Sequence, residues 1–238
     1  FNKNRKVGPI MKKMLLKIAV AVLLLCVTFP ELSAAPSGSD LFSKVKISVS
    51  SQSAPRYNES SPTDSSTGNL RNKWLVIAVD YTPRLSGIKD KNAWIDDVVL
   101  VVRLQLVSSS RDRAVTYVFT GETEFWTIPL DGRKHTATMM VPPHLLDRYL
   151  PPSGVGSTVS TSSLPVEAVF YDRTGAVIGR GQTGFKSDAQ AEEFFRNAES
   201  SRIPVLEGAI LPRNKTPWQW SKVDDFDLIK PEVSVKKK

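Results

Sequence analysis

PVEAVFYDRTGAVIGRG, residues 165–181, reads as a β-hairpin. Val166, Ala168 and Phe170 alternate with Glu167, Val169 and Tyr171, the period of two that gives a strand two unlike faces. Asp172-Arg173-Thr174-Gly175 follows, with a side-chain acceptor first and a glycine able to take positive φ last, the chemistry of a type I turn with a G1 bulge. Ala176–Arg180 then runs back. A hairpin of this kind leaves an apolar face and two edges open, so it requires further strands and a second sheet.

Those strands are found upstream. Leu41–Ser50 alternates, with Val45, Ile47 and Val49 on one face, and Trp74–Tyr81 is apolar on both faces until Pro83 stops it. Ala93–Val107 carries the longest alternation, with Val98, Leu100, Val102, Leu104 and Leu106 sharing a face. Val115–Phe119, Glu122–Ile128 and Lys134–Val141 continue the pattern, the last two separated by the turn signal Asp131-Gly132. Ser51–Asn69 and Ser153–Ser163 read as loops, and His144–Tyr149 as a helical turn between proline pairs. Downstream of the hairpin, Ser187 with Gln190 three residues on predicts a capped helix through about Ala198, pinned by Phe194 and Phe195. Pro204, Pro212 and Pro217 then keep the chain extended. Roughly seven to nine strands without strand–helix alternation exclude a doubly wound fold. They predict a mainly β, antiparallel immunoglobulin-like sandwich with one or two short helices and an extended C-terminal arm. Trp74, Trp94, Phe119 and Phe170 are the expected large core fillers.

The ends of the 238 residues read differently. Lysines after Met11, the apolar run Ile18–Val27 and Ser33-Ala34-Ala35 follow the order of a secretory leader, so residues 1–34 are read as a leader starting at Met11 or Met14 and cleaved after Ala34. Residues 35–40 form a linker, 41–222 the sandwich with its arm, and 223–238 a mobile tail. Residues 1–34 hold six Lys or Arg against Glu31 alone, which leaves +3 of the formal +8 for the remainder. No clustered basic face for nucleic acid is expected from so small a charge. The single cysteine, Cys26, lies in the leader behind Leu23-Leu24-Leu25, unlike the small residues that precede a lipidated cysteine. Beyond the leader there is no thiol for a disulfide, a nucleophile or a metal.

Catalytic patterns are equally sparse. His135 and His144 lack a second ligand at metal spacing and read as a surface strand residue and a helix-start residue. Asp96-Asp97 are adjacent in a strand and point to opposite faces, which does not suit a two-carboxylate hydrolase. Asp224, Asp225 and Asp227 lack the glycine and distal glutamate of a calcium loop. Gly154-Val155-Gly156-Ser157 lacks the lysine and helix of a phosphate loop. Neither enzyme chemistry nor a cofactor or metal is expected. What remains is the arm: Trp218 and Trp220 share one face of an extended run, beside Arg213 and Lys215, either clamping the arm to the body or contacting a partner or glycan.

Leu211-Pro212-Arg213-Asn214-Lys215-Thr216-Pro217-Trp218, placed after the capped helix, resembles the C-terminal arm of a family of exported proteins from Akkermansia and its verrucomicrobial relatives, encoded beside type IV pilus assembly components. The resemblance implies an immunoglobulin-like fold and a non-catalytic role in the envelope or at the pilus, with no catalytic residues to carry over. The lack of a hydrophobic pilin helix points to an accessory component rather than a subunit. The expectation is an exported interaction module in the periplasm, at the outer membrane or on the cell surface. Its partners would be envelope, pilus or secretion proteins, met through strand-edge pairing or the arm. The membrane would be touched only by an uncleaved leader. A carbohydrate-binding or adhesin-like module using exposed tryptophans is the alternative.

Overall fold

Two long strands form the spine of the molecule. The structure, a computed structural model, describes residues 41–55, 73–84, 93–110, 113–150, 161–219 and 228–231. The leader, the linker, most of both long loops, Trp220 and the acids at 224–227 lie outside the described residues. Strands β3 (Trp94–Ser110) and β4 (Arg113–Pro129) pair antiparallel along their whole length, from Trp94 opposite Pro129 to Ser110 opposite Arg113. The two shorter strands expected within residues 115–128 are therefore one. Gly121 joins them, because its Cα can lie against a crossing chain without a break in the ladder.

The remaining strands are β1 (Phe42–Ser53), β2 (Lys73–Pro83), β5 (His135–Val141), β6 (Val166–Tyr171), β7 (Val177–Thr183), β8 (Val205–Leu206) and β9 (Leu211–Pro212). Helices α1 (Pro143–Tyr149) and α2 (Asp188–Ser200) complete the described elements, with single 3-10 turns at Thr161–Ser163 and Arg213–Lys215. One sheet has the order β1-β2-β5-β9, and the other β7-β6-β3-β4-β8. Leaving aside the two-residue strands of the arm, these are the A-B-E and G-F-C-C′ sheets of an immunoglobulin-like sandwich. No disulfide joins the sheets; the interior is apolar packing.

Val98, Leu100, Val102, Leu104 and Leu106 are all fully buried in the interior, as their spacing predicts. Leu75, Ile77 and Val79 face them from β2, and Met139 and Val141 from β5. Phe170 of the 165–181 hairpin lies at the centre, 5.0 Å from the Phe42 ring edge-on and 4.8 Å from Tyr81. Such ring pairs add about 0.5–1.5 kcal/mol beyond the area they bury.

The hairpin turn forms as its residues dictate. Gly175 takes φ 81° and donates its N–H to the Asp172 carbonyl at 2.9 Å. The Asp172 Oδ1 accepts from Thr174 N (2.8 Å), Thr174 Oγ1 (2.6 Å) and Ala176 N (3.0 Å). Partial desolvation works against the charge, but these bonds prevail and hold the Asp172 carboxyl below its ordinary range. Asp172→Ala is expected to cost about 1–2 kcal/mol, because the turn loses one acceptor serving three donors. Urea denaturation at neutral pH measures it, and a change below about 0.3 kcal/mol would show that the turn is held by its strands alone.

Both faces of β6 are covered: Glu167 is only 1% exposed and Val169 is also buried. One expected core filler is corrected by the fold: Trp94 is not a core residue, being 49% exposed. Asp97 has φ 56°, and around it the alternation slips: Ile95 packs against the core and Val98 is buried, so both intervening residues leave the interior. Trp94, one residue before Ile95, is consequently turned outward. Trp74 is half-buried at the opposite sheet.

Candidate functional site

The arm residues singled out by sequence belong to a clamp. After α2, whose Ser187 cap accepts from Gln190 N at 3.2 Å, Phe195 and Ala198 bury against Val118 on the outer face of β4. Phe185 and Phe194 pack around them. The chain then runs along the open edge of β4: Val118 N donates to Pro204 O, β8 pairs parallel with Val118 and Phe119, and Ile210 N donates to Thr120 O at 3.1 Å. From there it crosses to the other sheet, where Leu211 and Pro212 pair with Met140 and Met139 of β5. One flank of the sandwich is closed by its own C-terminal chain.

Arg213 fastens this crossing. Its Nη1 donates to the carbonyls of Trp218 (3.3 Å) and Gln219 (2.9 Å), and Thr216 returns to the Arg213 carbonyl through both N and Oγ1. Trp218 is 7% exposed and stands edge-on to Trp74, ring centroids 5.6 Å apart, over Val76 and Met140. Lys215 is exposed. The structure thus brings Arg213 and Trp218 together as parts of the fold, and Trp218 offers no open face to a sugar.

Exposed aromatic surface lies elsewhere. Trp94 and Trp126 (53% exposed) stand at the same end of the β3–β4 pair, and Leu228 (43% exposed) reaches it from the C-terminal segment. Trp126 N donates to Leu228 O at 2.9 Å, Lys230 N donates to Glu124 O at 2.7 Å, and Ile229 pairs antiparallel with Phe125. Residues 228–231, within the segment 223–238 expected to be a mobile tail, therefore lie along the edge of β4, joined to it by one antiparallel bridge and its two hydrogen bonds. The Lys230 ammonium bonds the carboxylates of Asp97 and Glu124, and its Nζ lies 4.9 Å from the Trp126 ring centroid. Those bonds, first to Asp97 and then to Glu124, raise the Lys230 pKa above its ordinary value. Asp96 and Glu122, both exposed, extend the acidic rim. Sequence reading places Trp126 in a strand but does not single it out. The available signal was the alternation Glu122, Glu124, Trp126, which puts an indole on a charged face.

The histidines make no common site. His144 is exposed on α1, whereas His135, expected at the surface, is buried with its ring 5.7 Å from Tyr81. Its Nε2 is 3.0 Å from Asp131 Oδ1, which also accepts from Arg133 N, so the pair ties down the turn before β5. Among the described residues no group of three or more His, Cys, Asp and Glu side chains could hold a metal ion.

Known proteins supply the remaining comparison. A crystal structure of a protein from Akkermansia muciniphila is similar at 16% identity with a TM-score of 0.50, over 79% of this chain and 96% of that one. The crystal structure of the sporulation control protein Spo0M from Bacillus subtilis aligns at 11% identity with a TM-score of 0.23, over 66% of this chain and 55% of that one. At such identities the first likeness speaks for the fold alone. No curated protein matches the chain significantly. A family model, by contrast, matches residues 35–233, which contain both sheets, the arm and the segment that returns to β4. The chain belongs to that Akkermansia-type family.

Proposed function

We propose that the protein is an exported, non-catalytic interaction module, an accessory component of a type IV pilus-like or secretion apparatus in the cell envelope. One observation carries this reading: Trp94, Trp126 and Leu228 are exposed together at one end of the sandwich, on an acidic rim, while the flank beside them is sealed by the chain itself. Tryptophans so placed are the residue type that dominates binding energy at protein contacts. The envelope role is supported by the leader pattern and by family membership.

Crosslinking of the leaderless chain in envelope fractions of the producing cell tests it. Pilus inner-membrane or secretin components should be captured, and a Trp94→Ala/Trp126→Ala double variant should lose at least about tenfold of that capture without loss of folding. Undiminished capture by the double variant would remove this surface from the account. The same two side chains favour one other reading, a sugar-stacking platform. Specific signals on a glycan array, abolished in the double variant, would establish that reading instead.

A further inference from the structure

We propose that the edge of β4 at Glu124–Trp126, with the cradle formed by Asp97, Glu124 and the Trp126 ring, is a receptor for an extended, lysine- or arginine-bearing segment of a partner protein. In the free chain the receptor is filled by the chain's own residues 228–231. The inference rests on the contact-surface reading above and names the chemistry of the partner.

The occupant defines the specificity. Its backbone is extended and pairs antiparallel, donating and accepting at Glu124 O and Trp126 N, which is recognition by strand addition. Its one charged side chain sits over an indole and between two carboxylates, three features that each select a cation. An acidic segment would meet the Asp97 and Glu124 carboxylates where the cation now sits and would be rejected.

The same contacts show that the occupant is replaceable. It is held by two ladder hydrogen bonds, the Lys230 side chain and Ile229, which packs against the core but is only partly buried. The carboxylates it pairs with are 45% and 47% exposed, where water screens an ion pair and leaves it little stabilising effect. It leaves Trp126 half uncovered and its own Leu228 in water. A longer basic strand that also covers Trp126 gains apolar burial that residues 228–231 do not have.

The test titrates the chain with a blocked seven-residue peptide of alternating valine and lysine, and with its valine–glutamate counterpart, by calorimetry and tryptophan fluorescence. The lysine peptide should bind and the glutamate peptide should not. Lys230→Ala should tighten the lysine peptide by roughly threefold to tenfold, because it takes the competing cation off the two carboxylates. Lys215→Gln, which removes an equal charge from the arm, should leave the affinity unchanged, and Trp126→Ala should weaken it at least about tenfold. In the saturated complex the Lys230 amide should exchange faster while the Trp126 amide stays protected. Equal binding of both peptides, no gain in Lys230→Ala, or a Lys230 amide still protected at saturation would overturn the proposal. An oligosaccharide that quenches Trp126 while the peptides do not bind would overturn it in favour of a sugar platform. If the lysine peptide is ignored while the double tryptophan variant still loses its envelope partners, the basic-segment inference falls and the contact surface stands.

Discussion

Gly121→Ala is expected to cost the fold about 3–4 kcal/mol and to release the C-terminal arm. A Cβ at this position would stand 1.9 Å from the carbonyl oxygen of Ile210, and 2.7 Å from its carbonyl carbon and its Cβ. The nearest obstacle is backbone, so no rotamer change relieves it. Either β4 shifts within a ladder paired along its full length with β3, or the arm lifts away. The arm is the weaker partner, because its pairings are two-residue strands on each sheet. Its release should bare Met139 and Met140, expose Trp218 and open Arg213 and Lys215 to trypsin. Measured as urea denaturation together with the rate of tryptic cleavage, a variant within about 0.5 kcal/mol of the parent and equally resistant would show that the crossing is not packed this tightly. Combining it with Ile210→Gly should not restore stability, since the carbonyl remains in place.

This prediction depends on a contact that sequence reading could not show, and the pattern recurs. The 165–181 hairpin was legible because its information is local: the turn residues and the period of two lie within one stretch. The Val98–Leu106 face was legible for the same reason. Trp94 is in phase with the Val98–Leu106 face by sequence, but the left-handed backbone at Asp97 breaks that phase and turns it outward. Trp218 and Trp126 have the same side chain in extended segments, yet one is buried on Trp74 and the other faces water; tertiary neighbours decide between them. Lys230 meets Asp97 from 133 positions away, a pairing that no local window contains. Alternation also says which residues share a face but not what covers it. Glu167 and Val169 are therefore legible as one face of β6, but the burial of that face is not.

Glu167→Ala is accordingly expected to be the other severe change, at about 3 kcal/mol, near the lower end of what breaking a buried ion pair costs. Glu167 Oε2 accepts from Arg103 Nη1 at 3.2 Å, and Arg180 Nε lies 3.8 Å from its Oε1, an atom without a hydrogen bond. Arg180 also pairs with Glu192, so the carboxylate links β3, β6, β7 and α2. Removal leaves a cavity and two guanidinium groups, but their side chains are 24% and 23% exposed and reach some water, which limits the loss. Glu167→Gln keeps the volume and the Arg103 hydrogen bond, and should cost about 1 kcal/mol. The pH dependence separates charge from packing. Burial raises the Glu167 pKa above its ordinary 4.5, opposed by Arg103 and Arg180 and reinforced by Glu192. The folded carboxyl therefore holds its proton at pH values where the unfolded one has lost it. This group's contribution to stability falls as pH rises from 4.5 through the raised folded value and is level above it. Asp131 and Asp172, whose folded pKa values are lowered, titrate with the opposite sign and in both proteins, so they cancel in the difference between the parent and Glu167→Gln. Unfolding free energies across the acid range should show the parent gaining on the variant as pH falls through that window. Parallel profiles would mean that Glu167 is ionised as easily in the fold as out of it, and that Arg103 and Arg180 compensate fully for its burial.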